Sequence, residues 1–263
     1  LILHASAGAG HKRAAQALGQ GFNALCPAAE VRICDILDFT PSIFKKTYGE
    51  SYLDVIKRAP ELWGYMYARL DRKSPHPLRK KLRSFVYRTN TLEFARFYRE
   101  FEPDIVVCTH FMPLEIISTR IRKGKTAAAL FCTVTDFAVH ALWVAENVAC
   151  YYVATQEAAR QLLRRGQAPD RIAVLGIPID PAFAAGLSRE EARRRLGIDD
   201  ALPVVLVLGG GVGVGPAVEL ILAVGAAGVA CRLLVVAGSN QELQASATEA
   251  ARLAVMLPRP KYF

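Results

Sequence analysis

The sequence lacks the cysteine patterns of metal-binding and disulfide-stapled proteins. Its six cysteines form no CxxC pair and show no spacing typical of metal ligands. No DxD motif and no cluster of other metal-binding side chains is present either. Because Cys108, Cys132 and Cys150 lie inside apolar, strand-like runs, we expect buried, reduced thiols of a cytosolic protein.

The sequence also lacks a signal peptide, an internal repeat and any low-complexity tract. Its longest apolar stretch, residues 204–231, contains a glutamate, a glycine-rich centre and a proline. These residues predict a buried strand, a turn and a buried helix, and not a membrane span. The chain begins inside a strand without an initiator methionine and ends soon after another strand. We therefore expect it to be a piece of a longer protein.

Hydrophobic residues make up 52% of the chain and charged residues 22%, which is typical of a soluble globular protein. The formal net charge is +9, and much of the excess lies in residues 69–88, where eight basic residues accompany one acid. Such a cluster attracts polyanions, either nucleic acid or an anionic membrane surface; a solvated helix face is the alternative. No nucleic-acid-binding motif accompanies the charge, which disfavours a nucleic-acid partner.

Apolar, strand-like runs alternate with helical patterns along most of the chain. Strands are predicted over residues 1–5, 30–37, 103–110, 128–136, 149–155, 172–180, 204–210 and 231–238. Helices are predicted over residues 11–25, 113–123, 156–166, 188–197 and 216–229. The region 39–101 is expected to be irregular, aromatic and basic. Continuous apolar strands indicate parallel sheets covered on both faces, so the fold class is α/β with two Rossmann-like domains, over residues 1–182 and 183–263.

The first candidate site is the turn "GAGH", which joins the first strand to the first helix. Gly8 and Gly10 let the backbone approach a ligand, and the amides of a helix N-terminus favour an anion. His11 can approach a reacting hydroxyl while the helix dipole lowers its pKa and keeps it a neutral base. A tight strand-to-helix turn without a function explains the same residues, and the motif is neither GxGxxG nor a Walker A sequence.

The second candidate site is a glycine-rich loop between a buried strand and a helix, "LGGGVGVGP" over residues 208–216. Such a loop binds phosphate through backbone amides, and close packing of helix on strand is the alternative. Its glycines are Gly209, Gly210, Gly211, Gly213 and Gly215. A dinucleotide site would also need an acid at the end of the next strand, and "CRLLVVAGSN" has none, which disfavours NAD.

The third candidate site, "VTDFAVHALWV", lies at the carboxyl end of a strand expected to be parallel, where ligands bind in open α/β sheets. It contains Asp136, His140 and Trp143. The indole offers a flat face for a sugar ring or an interface for lipid. The alternative is a histidine and a tryptophan that fill the core, with the aspartate as a helix cap.

Five motifs in this order resemble the monogalactosyldiacylglycerol synthase and processive diacylglycerol glucosyltransferase group. That group belongs to glycosyltransferase family 28, has the GT-B fold and is related to the peptidoglycan GlcNAc transferase. The motifs are "SAGAGHKRAAQAL", "VTDFAVHALWV", "LGIPIDPAF", "LGGGVGVGP" and "VVAGSNQEL". The resemblance implies an inverting transfer of glucose or galactose to diacylglycerol, with UDP-glucose or UDP-galactose as co-substrate and with no metal and no cofactor.

The resemblance also implies roles for individual residues. His11 matches the catalytic histidine that deprotonates the acceptor hydroxyl. The acceptor side would further include Gly8, Gly10, Asp136, His140 and Trp143. The donor diphosphate would lie near the five loop glycines and near Gly238 and Asn240 of the "AGSN" turn. Residues 251–263 lack the glycine-rich segment and acid that bind the nucleoside and sugar in the family, so the second domain is expected to be incomplete.

The basic and aromatic region suits an interfacial segment, because cations attract anionic headgroups and amphipathic rings favour the boundary layer. The predicted membrane-binding residues are Trp63, Tyr65, Arg79, Lys80, Lys81 and Arg83. We therefore expect a peripheral protein on the cytoplasmic face of the cell membrane. Two alternatives stay open: a UDP-sugar 2-epimerase of the same fold, and a non-catalytic membrane adaptor that binds a nucleotide sugar.

Overall fold

The computed structural model describes residues 1–6, 8–48, 61, 71, 77–184, 186–209 and 216–256. The chain divides into two compact units, Leu1–Ala185 and Gly186–Phe263.

The first unit contains a six-stranded, wholly parallel sheet. Its strands, in chain order, are β1 (Ile2–His4), β2 (Ile33–Asp35), β3 (Ile105–Cys108), β4 (Ala129–Thr133), β5 (Val148–Val153) and β6 (Ile172–Val174). Their order across the sheet is β2-β1-β3-β4-β5-β6. β1, β3 and β4 are therefore neighbours at the centre, and the loops after them meet at one edge of the sheet.

Helices connect the strands and cover the sheet. They are α1 (Ala9–Leu25), α2 (Pro77–Asn90), α3 (Leu92–Phe101), α4 (Phe111–Arg122) and α5 (Gln156–Arg164). A further helical segment covers residues 42–48. Short 3₁₀ turns lie at Ile36–Phe39, Ala141–Trp143, Pro169–Arg171 and Pro181–Phe183.

Apolar side chains fill both faces of this sheet, because successive residues of a strand point to opposite sides. On β1, Leu3 packs into the larger core cluster, whereas Ile2 packs against Ala15 of α1 on the other face. On β3, Val106 belongs to the larger cluster and Val107 to the cluster under α1. This two-sided burial explains why the strands read as continuous apolar runs in the sequence.

The expectation of an irregular segment over residues 39–101 is wrong for its C-terminal part, which forms α2 and α3. In α3, Phe94 and Tyr98 are four residues apart, so they lie on one face of the helix, and both are buried. Phe97 and Phe101 pack against the same core. The aromatic residues of α3 thus form the buried face of an amphipathic helix.

The second unit has a two-stranded parallel sheet of β7 (Val204–Leu208) and β8 (Arg232–Val236). Its helices are α6 (Arg189–Arg195), α7 (Ala217–Ala226) and α8 (Gln241–Met256). α8 was not predicted from the sequence; it packs on α7, and Ile221, Ala247 and Ala250 form the small core between them. The predicted α/β class, with a parallel sheet in each of two successive units, is confirmed.

Candidate active site

The candidate site lies at the carboxyl ends of β1, β3 and β4, three adjacent strands of the first sheet. His11 stands in the first turn of α1, directly after β1. Thr109 and His110 follow β3, and Thr135 and Asp136 follow β4. Carboxyl ends of parallel strands meet at one edge, so residues far apart in the sequence converge here.

His11 is held by two threonines from the neighbouring strands. Its ring Nδ1 lies 2.9 Å from the carbonyl oxygen of Thr109 and 2.7 Å from the hydroxyl oxygen of Thr135. The hydroxyl of Thr109 in turn donates to the backbone carbonyl of His11 at 2.9 Å. These contacts fix both the helix start and the imidazole against the central strands.

Burial is the main influence on His11, and it lowers the pKa of the imidazole below its ordinary value of 6.5. The negative charge of Asp136 and the bond to the Thr109 carbonyl raise that pKa in part. The position in the first turn of a helix also disfavours a positive charge. His11 is therefore neutral near pH 7, which is the state that a general base needs.

Trp143 is completely buried, and its indole Nε1–H donates to Asp136 Oδ2 at 2.8 Å. Its ring lies 6.1 Å from the ring of His11 and 5.8 Å from that of Phe111, measured between centroids. The indole thus offers no exposed face for a sugar or a lipid in this structure. It acts on the site by holding Asp136 and by packing against the histidines. Asp136 accepts the indole N–H and does not cap a helix.

His140 is buried and caps the 3₁₀ turn that carries Trp143, because its Nδ1 accepts from the backbone N–H of Leu142 at 3.0 Å. Asp71 binds the same turn, because its Oδ1 accepts from the N–H of Ala141 at 2.9 Å. The same oxygen also accepts from the Arg165 guanidinium at 2.6 Å. The structure places His140 where it supports Trp143.

His110 is a site residue that the sequence analysis missed. It is buried, its ring meets the His11 ring edge-on at 4.6 Å between centroids, and its Nδ1 caps α4 by accepting from the N–H of Met112 at 3.0 Å. Burial, together with the nearby His11, holds its pKa well below the ordinary value. Thr109 and Thr135 were missed as well. The available signal was their place at the carboxyl ends of two predicted strands.

The two glycines of the "GAGH" turn have room beside them. A Cβ at Gly8 would come no closer than 3.9 Å to another side chain, the Cδ2 of His11, and a Cβ at Gly10 would meet nothing within 4 Å. Close packing within the described residues therefore does not explain either glycine. Gly8 precedes α1 in an extended conformation and has no side chain to cap the helix.

The predicted donor residues belong to the second unit, and the structure describes three of them. The N–H of Gly209 donates to the carbonyl of Val236 at 2.8 Å. Gly238 has a φ of +62°, in the left-handed region that favours glycine, in the turn after β8. Asn240 Oδ1 accepts from the N–H of Leu243 at 2.9 Å and so caps α8. The remaining loop glycines lie outside the described residues: Gly210, Gly211, Gly213 and Gly215.

The predicted membrane-binding residues are only partly described. Trp63 and Tyr65 lie outside the described residues, and Arg79, Lys80 and Lys81 are described only as backbone of α2. The Arg83 side chain is 25% exposed, and its Nε lies 2.6 Å from Glu115 Oε2 in an ion pair. Beside it on α2, Leu82 is 63% exposed and Phe85 is 53% exposed.

Two features are absent from the described residues: a helix able to span a bilayer and a cluster of metal-binding side chains. Within them, no helix has both the length and the apolar character needed to span a bilayer. Nor does any group of three or more His, Cys, Asp or Glu side chains in the described ranges have an arrangement that could hold a metal ion.

Comparison with known proteins gives consistent results. A family model described as monogalactosyldiacylglycerol (MGDG) synthase matches residues 11–179. The chain is 32% identical over 260 residues to the chloroplastic monogalactosyldiacylglycerol synthase of Spinacia oleracea, an alignment that covers 92% of this chain and 48% of the relative. It is 25% identical over 255 residues to a processive diacylglycerol beta-glucosyltransferase of Bacillus pumilus (strain SAFR-032), covering 95% of this chain and 63% of that protein.

Among solved structures, UDP-GlcNAc 2-epimerase from Neisseria meningitidis bound to UDP-GlcNAc is similar with a TM-score of 0.49 and 13% identity, covering 100% of this chain and 72% of the other. The chain spans about half the length of its spinach relative.

Proposed function

The chain belongs to the monogalactosyldiacylglycerol synthase family, and we propose that it is part of a glycosyltransferase that moves glucose or galactose from a UDP-sugar to diacylglycerol. The observation that carries this proposal is the geometry of His11. A buried imidazole with a lowered pKa stands at the sheet edge where ligands bind in α/β proteins. The names of the matched relatives support diacylglycerol as acceptor.

The proposed reaction is a single displacement that inverts the anomeric carbon. The acceptor hydroxyl forms the new C–O bond as the bond to UDP breaks, and His11 accepts the hydroxyl proton. The negative charge of Asp136, which raises the pKa of His11, stabilises the imidazolium that forms. Trp143 keeps that carboxylate in place through its indole N–H.

We assign the UDP diphosphate to the glycine-rich segment of the second unit. Backbone amides and a helix N-terminus stabilise developing phosphate charge without a metal ion. Gly209 and Gly238 lie directly after β7 and β8, the two parallel strands of that unit, which is the usual position of such ligands. Asn240 contributes by capping α8 beside them.

The proposed site of action is the cytoplasmic face of the cell membrane, where the protein binds peripherally to anionic lipid. The eight basic residues of 69–88 supply the charge. The exposed apolar side chains of Leu82 and Phe85 on α2 suit the boundary layer.

A lipid-labelling assay tests the function. The full-length protein is incubated with labelled UDP-glucose or, separately, labelled UDP-galactose, over vesicles with and without diacylglycerol. Label in the lipid phase from one donor, dependent on diacylglycerol, is the expected result, and it identifies the sugar. A UDP-sugar that is epimerised or left unchanged, with no label in lipid from either donor, would contradict the proposal.

A further inference from the structure

Two oxygen atoms face the same ring nitrogen of His11. The carbonyl oxygen of Thr109 lies 2.9 Å from Nδ1, and the hydroxyl oxygen of Thr135 lies 2.7 Å from it. These two oxygens differ in chemistry, because a carbonyl only accepts a hydrogen bond whereas a hydroxyl donates or accepts. The carbonyl therefore decides which ring nitrogen carries the proton.

A bare Nδ1 would direct its lone pair at the lone pairs of the Thr109 carbonyl. With a proton on Nδ1, the same contact becomes an N–H···O bond of ordinary length. We infer that His11 is held as the Nδ1–H tautomer, with Thr135 as a positioning residue, so that Nε2 is the atom that accepts the substrate proton. This inference rests on the proposed function for the substrate proton, but the tautomer is a property of the protein alone.

The Thr109 carbonyl is itself rigidly placed. Its residue is completely buried, and its N–H donates to the carbonyl of Leu3 on β1 at 2.9 Å. Its hydroxyl donates to the backbone carbonyl of His11 at 2.9 Å. The acceptor that selects the tautomer is thus fixed to the central sheet and to the first turn of α1, so it does not turn away when the ring moves.

Thr135 supplies the second contact, from the loop after β4. Its oxygen shares the Nδ1–H with the carbonyl, which restrains rotation of the ring about its bond to Cβ. When Nε2 takes a proton, the ring becomes a cation and the bonds from Nδ1–H become charge-assisted. The Thr135 hydroxyl therefore stabilises the protonated base and raises the pKa of His11, although it does not touch the substrate.

Within the described part of the chain, three titratable groups interact with His11: Asp136 after β4, His110 after β3 and His4 on β1. Variants of Thr135 leave all three in place. A change in the His11 titration in those variants therefore reports on the hydroxyl.

Nitrogen-15 NMR of the histidine rings in the full-length protein tests the inference. Couplings between ring protons and ring nitrogens show which nitrogen is protonated, and His11→Asn assigns the signals. The expected result is a protonated Nδ1 and an unprotonated Nε2 in the wild type. A protonated Nε2 would overturn the inference even if lipid labelling succeeds, whereas failed labelling would overturn only the proposed function.

Matched threonine variants test the positioning role. Thr135→Val removes the hydroxyl and keeps the shape; it should lower the pKa of His11 in an NMR titration and lower kcat about tenfold with little change in KM. Thr135→Ser should restore both. Thr133→Val is the control, because that buried hydroxyl has no hydrogen-bond partner among the residues that the structure describes, and it should change neither. An unchanged titration and kcat in Thr135→Val would refute the role.

Discussion

Trp143→Phe separates the hydrogen bond of the indole from its packing. The ring is completely buried, and Nε1–H donates to Asp136 Oδ2 at 2.8 Å. Phenylalanine keeps an aromatic ring against Phe111 and His11, whose centroids lie 5.8 Å and 6.1 Å from that of the indole. It removes the donor and leaves a smaller ring in the same pocket.

Trp143→Phe loses stability in two ways, through the missing hydrogen bond and through the smaller ring. A hydrogen bond to a charged group contributes about 1.5–3 kcal/mol, and the lower end applies because the partly buried Asp136 regains water. The void left by the smaller ring costs about 1 kcal/mol. The free energy of unfolding should therefore fall by about 2–3 kcal/mol, which a domain with a stability of about 5–15 kcal/mol tolerates.

Urea unfolding of Trp143→Phe, Asp136→Asn and the double variant measures the coupling. The amide of Asp136→Asn still accepts from the indole, so that variant should lose only the charge-assisted part of the bond. The double variant should cost about 1 kcal/mol less than the two single variants together. A cost below about 0.5 kcal/mol for Trp143→Phe, or strict additivity in the cycle, would refute the buried bond between indole and carboxylate.

Two further predictions concern stability. Burial lowers the pKa of His4, His11 and His110 below 6.5 in the folded protein. The unfolded chain therefore binds protons more readily than the folded protein as the pH falls below 6.5. Urea unfolding should show a free energy of unfolding that is highest above pH 6.5 and decreases below it. His110→Asn keeps an acceptor for the helix cap and should make the free energy of unfolding depend less steeply on pH. An unchanged dependence on pH would contradict the lowered pKa of His110. Gly21→Ala in α1 should raise the free energy of unfolding by about 0.5–1 kcal/mol, because a Cβ there meets nothing within 4 Å. Gly19→Ala should gain less, since its Cβ would clash with the side chain of Ile33 on β2, and an equal gain in free energy in thermal unfolding would contradict this close approach.

The strands and the sheet edge of the site were predictable because they depend on local pattern. Each strand is a short apolar run, all eight predicted strands are present, and β1 and β3 at the centre of the first sheet are buried on both faces. Asp136 was found by the rule that ligands bind at the carboxyl ends of parallel strands, and His11 by its place in a glycine-containing turn at a helix N-terminus. The rule for strand ends, applied to the carboxyl end of the third predicted strand, would also have indicated Thr109 and His110.

The tertiary contacts were not predictable from the sequence. Nothing in "VTDFAVHALWV" distinguishes an exposed indole from one that is buried on Asp136, because the difference depends on how the loop packs over the core. The helix α3 was placed in a region expected to be irregular, since a single sequence does not show that Phe94 and Tyr98 face the core. Thr135 is a common residue type, and its role comes from a ring nitrogen 124 positions away in the chain.

The central claim is that His11 is the base of a glycosyl transfer to diacylglycerol, and His11→Asn tests it most directly. Asparagine retains a donor for the Thr109 carbonyl at the place of Nδ1 and has no atom at the place of Nε2. The measurement is the rate of sugar transfer from the UDP-sugar to diacylglycerol vesicles by the full-length variant, with vesicle binding measured in parallel. The account predicts a loss of about 10²–10⁴-fold in kcat with vesicle binding unchanged. A variant that transfers sugar at the wild-type rate would contradict it.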